Sequence, residues 1–439
     1  MREYHKRSRF SYLPTILVTF ATIFILSACV SSGGHNTQPW NEKQNNGAGR
    51  AAEETPNDLS IVAVEKQNLA SPQNGLTPEV SGLPPVKVAI LLPLSGQHAR
   101  LGEAMLNAAQ MALFDVGHNN FTLVPKDTKG TPQGAREAAR GALQDGAKLV
   151  LGPVFSPSVK AARQVTQSAN VNMIAFSTDW TLANSRTFLL SFLPFDQVER
   201  VVSYATHSGY NRIGLISPTD SYGDGVVSAY NAVAARQNLI YSRVERFSPN
   251  GTKLTPTMRK FSDYDARKAA GNVHGAPFDA VLMPVGGAMA RQIGSFLNHY
   301  DLPPRQVRRL GTGLMDDTSL ASDKTLDGTW FAAPAPKPRQ KFERRYHTLH
   351  YKKPPRIATL AYDATALAAI LARTGLQRNN RAAFDHTSIT NPNGFSGVDG
   401  IFRFRSDGII ERGLAILEYK KGKIIMIENA PRTFQQSAF

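Results

Sequence analysis

The single thiol among the 439 residues is Cys29, placed after Ser27-Ala28 at the end of an apolar run. Without a second cysteine it can form no internal disulfide, which leaves modification by an outside group as its chemistry. His347 and His350 stand three apart and could share a helix face. No third ligand stands at a metal-site spacing, so a solvated pair is expected there. The acids from Asp263 to Asp265 read as solvated surface. Ser156, directly before Pro157, reads as a helix N-cap. The chain contains no Gly-x-Ser-x-Gly, no phosphate-binding Gly-x-x-x-x-Gly-Lys, no His-Glu-x-x-His and no Gly-x-Gly-x-x-Gly. The expectation is a non-catalytic protein, with no catalytic residue, metal or cofactor.

The residues around Cys29 say how it is used. Arg2, Lys6, Arg7 and Arg9 stand against Glu3, and an apolar stretch runs from about Tyr12 to Leu26. A basic start, a short greasy run and small residues mark a secretory leader. The run is shorter than the roughly 20 residues that span a bilayer. Leu26-Ser27-Ala28-Cys29 resembles the lipobox of bacterial lipoproteins, in which that thiol receives diacylglycerol before cleavage. Residues 1–28 are therefore expected to be a lipoprotein signal peptide and Cys29 the lipidated residue. Val30 is not the aspartate that retains such proteins at the inner membrane of enteric bacteria, which favours the outer membrane. Residues 29–84 are rich in Ser, Gly, Asn, Gln and Pro, a composition of a disordered tether with a reach of ~40 Å. Losing four basic residues and one acid with the leader lowers the net charge from +16 to +13. That balance suits anionic partners, but nucleic acid is not expected outside the cytoplasm.

The rest of the chain alternates. Val86 to Pro93 is an apolar run of strand length, followed by helical spacing at Leu101, Met105, Ala108 and Ala112. Strands are expected at Phe121 to Val124, Ala147 to Leu151, Val171 to Phe176, Arg212 to Ser217, Phe278 to Met283 and Arg309 to Gly311. Helices lie between them, one opened by Thr131 and Pro132. Such alternation gives parallel βαβ units. After Gly400 the pattern becomes successive hairpins, with Asp407-Gly408 and Lys421-Gly422 as turns and Ile409 to Tyr419 as one strand.

Several segments resemble one family, the leucine-binding group of type I periplasmic binding proteins. They are Leu92-Pro-Leu-Ser-Gly96 with Gly102, Gly146-Ala-Lys-Leu-Val-Leu-Gly-Pro153, Asn172-Met-Ile-Ala-Phe-Ser177 and Asp220-Ser-Tyr-Gly-Asp224. The resemblance covers almost everything after Pro84. It implies an α/β fold of two doubly wound parallel-sheet lobes, joined by three crossings and clamping a ligand, with a C-terminal antiparallel hairpin. Lobe 1 is expected at about 85–195 and 331–390, and lobe 2 at about 196–330 and 391–430. Three further segments, Gly328-Thr-Trp-Phe-Ala-Ala-Pro334, Leu360-Ala-Tyr-Asp-Ala364 and Gly394-Phe-Ser-Gly-Val-Asp-Gly-Ile-Phe-Arg403, resemble the penicillin-binding-protein activator lipoproteins of the same family. Those proteins regulate peptidoglycan synthases.

The family resemblance also nominates cleft residues. Ser95 lies in the first strand-and-turn segment. Ser156, Ser177 and Thr178 match positions that touch a ligand carboxylate, and Tyr222 matches an aromatic that packs on the ligand. Asp179 falls where amino-acid binders place a hydroxyl. A carboxylate there would repel a bound carboxylate by about 4 kcal/mol at ~4 Å, unless it points outward as a turn cap. The acid that holds a ligand ammonium in the family falls at Gly313, with Asp316 or Asp317 as substitutes. Opposite charges spaced for a zwitterion therefore look lost. Two functions follow: a lipid-anchored regulator bound to a peptidoglycan synthase, or a receptor passing an amino acid or related solute to an ABC permease. The altered cleft, the long tether and the Trp330-Phe331 segment favour the regulator, and the overall family match favours the receptor.

Overall fold

The computed structural model describes residues 85–434, apart from 118–119 and 273–274. The expected signal peptide, Cys29 and the 29–84 tether lie outside the described residues.

A first sheet consists of β1 (Val86–Leu92), β2 (Phe121–Asp127), β3 (Leu149–Leu151), β4 (Asn172–Ala175) and β5 (Thr187–Leu189). Its order is β2-β1-β3-β4-β5, every pair parallel. This is a doubly wound arrangement, whose ligand crevice lies at the strand carboxyl ends where the order reverses. Six of the seven residues of β1 are buried, because helices cover both faces. These are α1 (Ala99–Val116), α2 (Pro132–Gln144) and α3 (Ser156–Ser168). Thr131 caps α2 as expected, accepting from the Gly134 N–H at 3.0 Å. The β1-to-α1 turn is tight enough that a Cβ on Gly102 would sit 2.1 Å from the Pro93 carbonyl oxygen, so no larger residue fits.

The chain then enters a second body through α4 (Pro194–His207). Its strands are β6 (Arg212–Pro218), β7 (Tyr241–Phe247), β8 (Ala280–Leu282), β9 (Arg308–Gly311) and β10 (Trp330–Ala333). They repeat the first order as β7-β6-β8-β9-β10. The helices α5 (Ser221–Arg236), α6 (Leu254–Phe261), α7 (Tyr264–Ala269) and α8 (Gly287–His299) connect them. The chain returns to the first body as α9 (Pro336–His350), α10 (Ala358–Asn379) and the one-turn α11 (His386–Ile389). Alanines 361, 364, 368 and 372 of α10 enter the first core, and the helix packs against α1.

The C-terminal region departs from expectation in one respect. Ile409 to Tyr419 is two strands, broken at Gly413 and Leu414. β11 (Phe395–Gly397), β12 (Gly400–Phe404) and β13 (Ile410–Arg412) form a separate antiparallel sheet. Phe402, Phe404 and Ile410 of that sheet bury in the first core. β14 (Ala415–Lys420) and β15 (Lys423–Glu428) instead extend the second sheet beside β10. The break arises because the two halves of the run are buried in different cores. Lys421 and Gly422 both have positive φ, the turn that a two-residue hairpin needs. The expected lobe limits shift accordingly. A limit at 330/331 would cut through β10, which lies wholly in the second sheet, and residues 395–412 pack with the first core rather than the second. The chain passes between the bodies at residues 190–193, 333–336 and 412–415.

Candidate functional site

A cavity of about 500 Å³ opens between the carboxyl ends of the two sheets. All three crossings line it, with Phe192 and Leu193 from the first, Pro334 from the second, and Arg412 and Leu414 from the third. Phe247, Val285, Met289, Leu314 and Ile410 make much of the wall apolar. A mostly apolar concavity with a few convergent polar groups is the usual form of a small-molecule site.

The polar groups gather at the hinge. Pro194 starts α4, which places Asp196 in its first turn. One Asp196 oxygen accepts from the Arg412 N–H at 2.7 Å. Burial pushes the Asp196 carboxyl up to about 7, the Arg412 N–H opposing and the Glu411 charge reinforcing the rise. The next residue, Gln197, donates to the Leu193 carbonyl and accepts from the Gly313 N–H, both at 2.6 Å. It thereby ties the first crossing to the loop after β9.

Asp316 sits in that same loop with its side chain only 1% exposed. It accepts from Arg339 of α9 at 2.8 Å and lies 3.9 Å from Arg356. Burial raises its carboxyl, against the pull of Arg339 and Arg356. Arg356 grips Asp399 through two nitrogens at 3.2 and 2.7 Å, and its guanidinium lies over the Phe192 ring at 4.2 Å. Burial opposes ionisation of Asp399, but Arg356, Arg412 and Thr359 outweigh it and hold this carboxyl below its ordinary range. Asp363 accepts from the Val398 N–H at 2.8 Å, and burial, then the Asp399 charge, push its carboxyl up to about 7. The guanidinium of Arg412 donates to the Ser191 carbonyl at 3.2 Å and packs near Phe192 and Phe402.

Of the residues nominated from sequence, Thr178, Tyr222 and Asp316 stand in the cavity wall. Tyr222 donates to Thr312 at 3.0 Å. The hydroxyls of Ser156 and Ser177 bond to each other at 2.9 Å and are not among the wall residues. Ser156 is also not the cap of α3. It occupies the first helical position, and Phe155 precedes it without a side-chain bond. Ser95 bonds Asp127 at 2.5 Å and is exposed. Asp179 turns away to cap the 180–182 turn, accepting from the Thr181 hydroxyl at 2.7 Å. The repulsion expected from its carboxylate therefore does not fall on the cavity. Asp317 is exposed and accepts from the Ser319 N–H.

The expected loss of opposite charges is corrected as well. Asp196, Asp220 and Asp316 line the cavity together with Arg356 and Arg412. Sequence reading missed Asp196, although an acid one turn into a proline-initiated helix was a usable signal. It had no means of finding Arg412, whose place depends on where the last long strand breaks. Among the described residues no group of three or more His, Cys, Asp or Glu side chains is arranged to hold a metal ion.

The sequence model of a family described as periplasmic binding protein matches residues 85–423. The Leu/Ile/Val-binding protein BraC3 of Rhizobium johnstonii is 24% identical over 219 residues, 47% of this chain and 58% of that protein. An uncharacterized protein of Rickettsia prowazekii is 20% identical over 178 residues, 40% of this chain and 47% of its own. The match thus spans about half the length of these curated relatives. Among solved structures, an ABC transporter substrate-binding protein from Sphaerobacter thermophilus superposes with a TM-score of 0.62 at 18% identity, over 80% of this chain and 98% of that one. A branched-chain amino acid ABC transporter periplasmic ligand-binding protein from Burkholderia xenovorans gives 0.61 at 18%, over 78% and 94%. A solute-binding protein from Rhodopseudomonas palustris, in complex with 3,4-dihydroxybenzoic acid, gives 0.57 at 16%, over 79% and 96%. At these identities the likeness establishes the fold.

Proposed function

Because the chain belongs to the periplasmic binding protein family, we propose that it is a solute receptor of the cell envelope, passing a small molecule with an apolar body and a charged end to an ABC importer. The observation that carries this reading is the cavity of about 500 Å³, lined by both bodies and by all three crossings, with both signs of charge in its wall. Arg412 occupies one Asp196 oxygen, which leaves the other for a ligand ammonium. Thr178 and Arg356 stand in the same wall for a carboxylate. Among the similar proteins, one is a Leu/Ile/Val-binding protein and one is a solute-binding protein in complex with 3,4-dihydroxybenzoic acid, and all of these ligands are of this amphiphilic kind. The family works outside the cytoplasm, and a lipid on Cys29 would hold the receptor at a membrane surface there.

The regulator of peptidoglycan synthesis is the weaker reading. It rests on a cleft without paired charges, on the Trp330-Phe331 segment and on the long tether, which lies outside the described residues. Trp330 is 9% exposed and Phe331 fully buried, with Tyr204 and Tyr210 edge-on to the indole. These two rings are core, so they offer nothing to a partner.

Thermal unfolding against hydrophobic amino acids and aromatic carboxylates tests the proposal. A ligand at a hundred times its dissociation constant should add about 2.7 kcal/mol of stability. No shift with any of them, together with capture of a peptidoglycan synthase from envelope extracts, would return the regulator to first place.

A further inference from the structure

A second charged region lies outside the cleft, on α9 and the loop behind it. Residues 336–356 contain eight Lys and Arg against the single acid Glu343. Three of the cations are committed inward, Arg339 to Asp316, Arg345 to Asp115 and Arg356 to Asp399. The other five, Lys337, Lys341, Arg344, Lys352 and Lys353, are exposed. Of these only Lys352 has an acid within reach among the described residues, Glu103 at 3.9 Å. Lys337, Lys341 and Arg344 are spaced i, i+4, i+7 and so share one helix face. Lys352 and Lys353 continue into a groove of about 700 Å³ that Arg100 and His350 also line.

Large apolar side chains stand among these cations. Leu349 is 53% exposed and Tyr351 84%, and Phe114, next to the Asp115 that Arg345 holds, is 83% exposed. Burying them against a neighbouring element would have been favourable, yet all three remain exposed, Tyr351 directly before Lys352 and Lys353. Exposed cations, four of the five without an acid partner among the described residues, on one segment with exposed apolar and aromatic groups suit the boundary of an anionic bilayer, where headgroups take the charges and the acyl boundary takes the side chains.

We propose that the outer face of α9, with the 349–353 turn, docks on a membrane surface containing anionic phospholipid. The docking does not depend on what the cleft binds, since the cations used are not those of the hinge.

Backbone amide exchange of the full-length chain on vesicles tests it at the surface itself, whatever else holds the protein to lipid. With phosphatidylglycerol present, exchange at 349–353 should slow severalfold relative to pure phosphatidylcholine, and the protection should vanish at high salt. Lys337→Glu, Lys341→Glu and Arg344→Glu together should abolish it, each reversal weakening docking by at least about fivefold. Leu349→Ser with Tyr351→Ser, which alters only solvent-facing side chains, should reduce protection while leaving the salt dependence. Equal exchange on the two vesicle types would overturn the proposal. Protection by soluble polyglutamate but not by phosphatidylglycerol would also overturn it, assigning the face to an acidic protein.

Discussion

On the first-sheet side of the cleft, Ser156 and Ser177 satisfy each other at 2.9 Å, and Asp179 is spent on its own turn. At the hinge, Asp316 reaches across from the second body to Arg339 and Arg356 of the first, and Asp196 holds the third crossing through the Arg412 N–H. Neutral hydroxyls can be completed locally. Buried charges cannot, because each needs an opposite charge or several donors to offset its desolvation. Here those partners lie on different parts of the chain, so buried charge at the hinge couples the ligand cavity to the relative placement of the two bodies, where the first-sheet side adds only the Trp180 indole N–H on the Ser221 carbonyl at 3.2 Å.

The comparison breaks most sharply at Arg356. Replacing it with Met leaves Asp399, whose side chain is 0% exposed, without its main partner, and should cost about 3–5 kcal/mol in urea unfolding. The Asp399 carboxyl is held below its ordinary 3.8 in the folded chain. Its contribution is therefore present above about 4 and lost as pH falls below that; Arg356→Met should remove this acid-side loss. Asp316→Asn comes next, removing a charged hydrogen bond worth about 1.5–3 kcal/mol. It should also enlarge the ligand-free particle in solution scattering, because the bond joins the two bodies. An unchanged scattering profile would show that Asp316 does not hold them together.

A smaller, pH-dependent effect sharpens the role of Asp196. Its folded pKa of about 7 lies above the ordinary 3.8, so the protonated carboxyl favours the fold. That contribution is full below about 4 and disappears as pH rises through 7. Asp196→Asn should flatten this slope relative to wild type and unfold no earlier at pH 8, while ligands bearing an ammonium bind less tightly. Affinity for such ligands in wild type should rise with pH through 7. The smallest effect is expected at Ser156→Ala, about 1 kcal/mol or less in stability and no change in ligand affinity by titration calorimetry. A large loss of ligand there would reverse the contrast between the two sides.

The repeated βα alternation made both parallel sheets readable, since apolar runs such as Val86–Leu92 and helix starts such as Thr131-Pro132 are local signals. The activator-like segments were legible too, but their meaning was not. Leu360–Ala364 and Gly394–Arg403 supply Asp363 and Asp399, two of the buried acids of the hinge, which pair with groups 35 or more residues away. Such partners have no local signature. The same reason hid Arg412, and it allowed Asp179 to look like a cleft residue when its bonds run to Thr181. Ser156 misled through Pro157, because proline at the second helical position resembles proline at the first.

Three strands of chain pass between the bodies along one edge of the cavity. A single connector would let one half swivel or slide over the other, and two would still permit twisting. Three side-by-side connectors resist both, leaving mainly a bend about the line they define. Closing is then nearly a one-parameter motion, so the wall residues of the two halves should meet in the same alignment on every closure. Backbone cleavage at Ala335, in the second connector along the chain, should widen the spread of closed geometries more than it weakens either half.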